Sequence, residues 1–146
     1  MSAMLKATIE HVNRTTARAS VRTHTILVDR GVAKGGLDLG PAGGEYMLVS
    51  LGGCFMSHLL AACSSREAAM TAIRVQVTGT LDGAPERFTA FEMDVSAECV
   101  DSALARKLIT IAGRSCQVVN TLRLVAPIVI TYGGTTVDLY ETTGVG

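Results

Sequence analysis

Four cysteines, Cys54, Cys63, Cys99 and Cys116, carry most of the reactive chemistry available to this chain. None belongs to a Cys-x-x-Cys pair, so the closely spaced ligand pairs of a structural zinc site are missing. The N-terminal residues Met1 to Lys6 lack the basic-then-apolar pattern of a secretory leader, and a cytoplasmic location is expected. Thiols stay reduced there, which leaves packing, redox chemistry or metal ligation rather than a permanent disulfide framework. Cys54 lies in the most apolar stretch, beside Gly52 and Gly53, where a cysteine is most simply a small core residue. Cys116 falls at the end of a second helical segment, in an accessible position. The partial negative charge of a helix C-terminus raises a thiol pKa, so Cys116 suits a resolving role better than an attacking one. His58 follows Cys54 by one helical turn on the same face, placed to act as a base or hold a thiolate. The plainer reading of His58 is a hydrogen-bonded core or interface residue. Cys63 and Cys99 read as packing residues. A metal site built from Cys54, His58 and Cys116 would need two helices to converge, and no metal is expected.

These residues are positioned by a pattern that switches between periods. Lys6 to Val12, Arg18 to Arg22 and His24 to Asp29 are rich in Thr, Val and Ile and read as strands, with Asn13 to Thr16 as a turn. Gly31 to Gly44 holds too much glycine and proline for helix or strand and reads as an ordered loop. Glu45 opens a long helix ending near Ser65, in which Leu48, Leu51, Phe55, Leu59 and Ala62 recur at helical spacing. Its other positions are also mostly apolar, so burial nearly all round is expected. Gly52 and Gly53 each cost about 1 kcal/mol relative to alanine, which implies close approach of another element beside Cys54. Tyr46 to Ser65 is free of charged residues. Its serines, glycines and histidine suit lipid poorly, so a core helix is expected and no membrane contact.

Two strands follow, around Ile73 to Thr78 and Phe91 to Cys99, joined through Asp82-Gly83-Ala84-Pro85. Asp101 or Ser102 can cap a second helix with Leu104, Leu108 and Ile111 as its apolar stripe. Strands near Ile128 to Tyr132 and Thr135 to Tyr140 close the chain through a Gly133-Gly134 hairpin. This order describes an α+β fold, read as one domain over residues 1–146. With 48% hydrophobic residues the chain can build a core. Thirteen basic and thirteen acidic residues balance, without the basic patch that nucleic-acid binding requires.

Gly40-Pro41-Ala42-Gly43-Gly44-Glu45-Tyr46-Met47-Leu48-Val49-Ser50-Leu51-Gly52-Gly53-Cys54 closely resembles the signature around the first cysteine of the OsmC/Ohr family, the osmotically inducible and organic hydroperoxide resistance proteins. Thr23 to Asp29 and Gly35-Gly36 look like the strand and loop that precede it. Cys116-Gln117-Val118-Val119-Asn120-Thr121-Leu122 is similar to the family's Cys-Pro-Val-Ser-Asn-x-Leu around the second cysteine. The resemblance runs in order along nearly the whole chain and favours the broader OsmC-like subgroup.

The resemblance implies an intertwined homodimer, with antiparallel sheets wrapped around two central helices and the sites at the subunit interface. It implies a thiol peroxidase for organic hydroperoxides, in which Cys54 is oxidised and Cys116 resolves it as a disulfide. No bound cofactor is expected. An external dithiol such as protein-bound dihydrolipoamide, or alternatively a small thiol, would regenerate the enzyme. A thiolate needs a cation nearby, and by position Arg14 is the first candidate and Arg18 the next. Tyr46 and Phe55 could line an apolar pocket for the organic group of the substrate, although core packing is the simpler role for both. Two residues depart from the peroxidase pattern. Its catalytic Glu at the helix start, which would hold that Arg, has Glu45 as the candidate here, but the pattern's Glu aligns with Gly44, one position earlier. One residue turns a helical side chain by about 100°, so Glu45 could serve only as a charge at the helix N-terminus. Gln117 replaces the usual proline. These departures keep open a second reading: a protein that retains the fold without peroxidase activity and binds an apolar or acyl ligand.

Overall fold

The computed structural model describes residues 1–140. The chain divides into two compact units, Met1–Met47 and Leu48–Gly146, with the division inside the first long helix and not at the glycine-rich connection.

The first unit is an antiparallel meander of β1 (Thr8–Asn13), β2 (Thr16–Val21) and β3 (His24–Val28). Both of its tight turns place an arginine in the left-handed region, Arg14 at φ 38° and Arg22 at φ 53°. Residues other than glycine adopt that region sparingly. The glycine-rich connection is ordered, as expected, and buried Asp29 orders it. Its carboxylate accepts from the hydroxyls of Thr15 (2.7 Å) and Thr16 (2.8 Å) and from the amides of Arg30 (2.7 Å) and Leu39 (3.3 Å). The Asp29 amide donates to Pro41 O at 3.1 Å, and the Asp38 amide to Arg30 O at 3.0 Å. Two glycines are required by close backbone approach. A Cβ on Gly36 would lie 1.9 Å from Arg30 O, and one on Gly40 would lie 2.3 Å from Leu27 O.

Helix α1 (Gly43–Ser65) begins where this loop ends, two residues before Glu45. Glu45 Oε1 accepts from the Ala42 amide at 2.9 Å, so the carboxylate caps the helix start in the manner of a capping box. By length and mean hydropathy (1.6) α1 would suffice to cross a membrane. Its buried residues Leu51, Phe55, Leu59, Ala62 and Cys63 instead pack into the core of the protein. Burial nearly all round is not observed, because within this chain Val49 and Leu60 on the other sides are exposed.

The second unit contains β4 (Thr71–Asp82), β5 (Arg87–Glu98), β6 (Ile128–Tyr132) and β7 (Thr135–Thr136), in that order across one sheet. The pairing of β5 with β6 is parallel, a departure from a wholly antiparallel sheet. A parallel pair needs a long crossover, supplied here by α2 (Ser102–Ser115) and a short α3 (Gln117–Leu122) that the apolar periodicity did not reveal. Strand β7 is also shorter than the expected Thr135 to Tyr140. The alternation read in β5 is present: Phe91, Met93 and Val95 are buried, while Glu92, Asp94 and Ser96 face out. With Leu51, Phe55 and Leu59 from α1, Leu108, Ile109 and Ala112 from α2, and Val119 and Ile130, they form one core. The predicted close approach occurs at Gly52, where a Cβ would lie 2.6 Å from Val77 Cγ2 on β4. Gly53 has nothing within 4 Å of that position.

Candidate functional site: two cysteines, a histidine and a carboxamide

The second unit brings together α1 and the junction of α2 with α3. Asp101 starts α2, its carboxylate accepting from the Leu104 amide at 3.0 Å. The helix ends at Cys116, whose amide donates to Ala112 O at 3.0 Å. The same residue is the N-cap of α3, and its sulfur accepts from the Val119 amide at 3.5 Å. Cys116 is therefore clamped by backbone on both sides, and it is fully buried. Cys54 is half-buried. The sequence suggested the reverse, an interior Cys54 and an accessible Cys116. Leu51, Phe55 and Leu59 take the inward stripe of α1, which turns Cys54 partly outward, while the short α3 folds over Cys116.

Burial pushes the Cys116 thiol up to about 11, and the neighbouring Cys54 adds to the rise; the amides of Val119 and Val118 oppose it. The direction agrees with the expectation from a helix C-terminus, but the main cause is desolvation. Cys54 is the neighbouring thiol in that effect, and its own hydrogen bond goes to Gln117. At neutral pH Cys116 stays a thiol beside Cys54, an arrangement that fits a resolving partner.

Gln117 completes the cluster. Its Oε1 accepts from Cys54 Sγ at 3.4 Å and lies 3.0 Å from His58 Nε2. One carboxamide thus bridges two residues one turn apart on α1. The only sequence signal for it was the departure from proline at that position. No three His, Cys, Asp or Glu among the described residues converge as metal ligands.

Of the other sequence candidates, Phe55 is fully buried in the core, so within this chain it packs rather than lining a ligand site. Glu45, Tyr46, Arg14 and Arg18 fall in the first unit. Glu45 caps α1, and Tyr46 Oη donates to Leu27 O at 2.6 Å, which ties the start of the helix to β3. Arg14 sits at the tip of the β1–β2 turn; Arg18 is exposed on β2, opposite Glu10 and Leu27. Buried Cys63 contacts Met70 Sδ at 3.9 Å, and desolvation, with a smaller effect of Cys99, raises its thiol pKa. The Cys99 thiol donates to Asp101 O at 3.3 Å. A groove of about 440 Å³ runs between α1 and β4, lined by Leu48, Val49, Gly52, Gly53, Met56, Val75 and Val77. All its lining residues are apolar or glycine, and Gly53 is next in sequence to Cys54.

The OsmC-like protein family matches residues 35–131, which include both cysteine motifs, and the chain belongs to that family. Three solved structures show the shared fold. An OsmC-like protein from Mycoplasma pneumoniae superposes with a TM-score of 0.77 at 15% identity, covering 90% of this chain and 99% of that one. An organic hydroperoxide resistance protein from Elizabethkingia anophelis superposes at 0.71 and 16% identity, covering 92% and 99%. An organic hydroperoxide resistance protein OsmC from Legionella pneumophila superposes at 0.70 and 14% identity, covering 89% and 96%. No curated protein matches the chain in sequence.

Proposed function

We propose that this protein is a cysteine-dependent peroxidase for organic hydroperoxides, acting in defence against oxidative stress. The observation that carries the reading is the placement of the half-buried Cys54 thiol beside a buried, protonated Cys116. The Cys54 thiolate attacks the distal oxygen of the hydroperoxide. The S–O bond forms as the O–O bond breaks, and the departing alkoxide takes a proton to leave as the alcohol. Cys54, oxidised by two electrons, is then a sulfenic acid. The Cys116 sulfur displaces its hydroxyl, the thiol proton leaves with that hydroxyl as water, and a Cys54–Cys116 disulfide remains. An external dithiol returns the pair to the reduced state by exchange, itself becoming a disulfide. Protein-bound dihydrolipoamide or a small thiol is the proposed reductant.

The apolar groove between α1 and β4 supports an alkyl or acyl substituent on the hydroperoxide. The exposed apolar residues Val49 and Leu60 on α1 support the proposed pairing with a second copy of the chain. The family match, residues 35–131, crosses the boundary between the two compact units, which supports reading the chain as a single domain. Arg14 remains the first candidate for a cation that favours the Cys54 thiolate, with Arg18 next. For Glu45, the bond to the Ala42 amide supports a role in starting the helix ahead of one in chemistry.

The same groove also favours the second reading, a binding protein for an apolar or acyl ligand. Turnover separates the two. The reduced protein, supplied with cumene hydroperoxide and a dithiol, should consume peroxide catalytically, and the Cys54→Ser variant should not. Failure of the wild-type protein to consume peroxide with any dithiol would leave ligand binding as the better account.

A further inference from the structure

We propose that Gln117 is a positioning residue that sets the ionisation of Cys54 by rotating its carboxamide, with His58 changing tautomer in step. The inference deepens the peroxidase reading and rests on Cys54 being the reacting thiol. Gln117 is the first residue of α3, directly after Cys116, and its side chain reaches the α1 face that carries Cys54 and His58. In the observed orientation Oε1 is the common acceptor, taking the Cys54 S–H at 3.4 Å and facing His58 Nε2 at 3.0 Å. A carbonyl oxygen has no proton to offer. This orientation therefore holds Cys54 as a thiol and requires His58 to carry its proton on Nε2.

A carboxamide has two ends of nearly equal size and opposite hydrogen-bonding sense. Rotation by half a turn places NH₂ where Oε1 now lies. Its two hydrogens can then serve a Cys54 thiolate and an unprotonated His58 Nε2, with the imidazole proton moved to Nδ1. The second arrangement has the stronger bond, because a hydrogen bond to an ionised acceptor is roughly twice as strong as a neutral one. The thiol, by contrast, is a weak donor. The balance thus favours the thiolate, and loss of the carboxamide disfavours it. Within this unit Cys54 neighbours Cys116, which burial keeps protonated at neutral pH. Proline, the usual residue here in the family that the sequence resembles, offers neither donor nor acceptor. Position 117 accepts it without cost to the backbone, because the first amide of a helix has no intrahelical partner.

The test needs no peroxide, so it stands apart from the peroxidase reading. The rate of Cys54 alkylation by iodoacetamide is followed from pH 5 to 10 in a Cys116→Ser background, with the alkylated peptide identified by mass spectrometry. Gln117→Leu and Gln117→Pro should each slow alkylation at neutral pH by about threefold to tenfold and move the profile to higher pH, in keeping with the loss of one charge-assisted hydrogen bond. Gln117→Glu, which adds a like charge and offers no N–H, should move it furthest. A second readout uses the unsubstituted side chains. The ¹³C shifts of the His58 ring should report a change from the Nε2–H to the Nδ1–H tautomer as Cys54 ionises, and Cys54→Ser should abolish that change. Alkylation profiles of the Leu and Pro variants that superpose on the parent, or a His58 tautomer indifferent to Cys54 ionisation, would overturn the proposal. Peroxide turnover that fails while these shifts occur would instead count against the peroxidase reading alone.

Discussion

Asp29 and Cys54 each anchor a polar cluster, and their surroundings are opposite in kind. Asp29 is a buried carboxylate with four donors converging on it, two hydroxyls and two amides. Burial alone would push its pKa up. The bonds from Thr15, Thr16, Arg30 and Leu39 outweigh that and hold the carboxyl well below the usual carboxylate range. Three of the four donors come from a turn or loop and the fourth, Thr16, from the first residue of β2, so the charge is locked and the loop with it. Cys54 has one weak bond, to an oxygen it shares with His58, and lies beside a second thiol. A fully satisfied polar group holds structure; a group with spare valence next to a reaction partner is free to react. By this contrast the first cluster is architecture, and the second is where the proposed chemistry would take place.

The contrast can be broken by experiment, and the largest effect is expected where the second cluster is anchored. Phe55, fully buried between Cys54 and His58 in sequence, holds the face of α1 that aims both. Phe55→Ala should cost about 3–5 kcal/mol in urea unfolding, and it should slow peroxide turnover through loss of geometry. A small stability loss would show that α1 is held elsewhere. Asp29→Asn comes next. A carboxamide presents at most one oxygen to four donors, so the unfolding midpoint should fall clearly at pH 7. The carboxyl is depressed in the folded state, so its contribution is complete above the unfolded pKa of about 3.9 and is lost as pH falls below it. The gap between wild type and Asp29→Asn should therefore narrow below about pH 4. A gap independent of pH would mean that the charge does not matter. The smallest effect belongs to Glu45→Gln, which should cost about 0.3–1 kcal/mol by weakening the helix start. Peroxide turnover should be preserved in that variant; its collapse would move Glu45 from architecture to chemistry.

Much of the frame was legible in the residues. The alternation of Phe91, Met93 and Val95 with Glu92, Asp94 and Ser96 made β5 readable, and Asp101 announced α2. The glycine-rich connection was read as an ordered loop, but its organiser was missed. Asp29 has no local pattern, because its partners Thr15 and Leu39 are distant in sequence. The parallel pairing of β5 with β6 is likewise a property of the crossover and not of either strand. In the site, the two cysteines were found through motifs, while their exposures were read the wrong way round. The stripe of Leu51, Phe55, Leu59 and Ala62 marks the inward side of α1, but the apolar residues on its other sides mask the fact that Cys54 lies off that stripe. Gln117 was noticed as a departure from proline, but only the fold shows that its side chain meets Cys54 and His58.

Cys54 and Cys116 are proposed to form a redox pair. Reduced protein should be treated with one equivalent of an organic hydroperoxide and its disulfides located by peptide mass spectrometry. Rapid formation of a Cys54–Cys116 bond in the wild type, with sulfenic acid accumulating on Cys54 in Cys116→Ser, is the predicted result. Thiols that remain unreacted, or a disulfide that joins other cysteines, would contradict it.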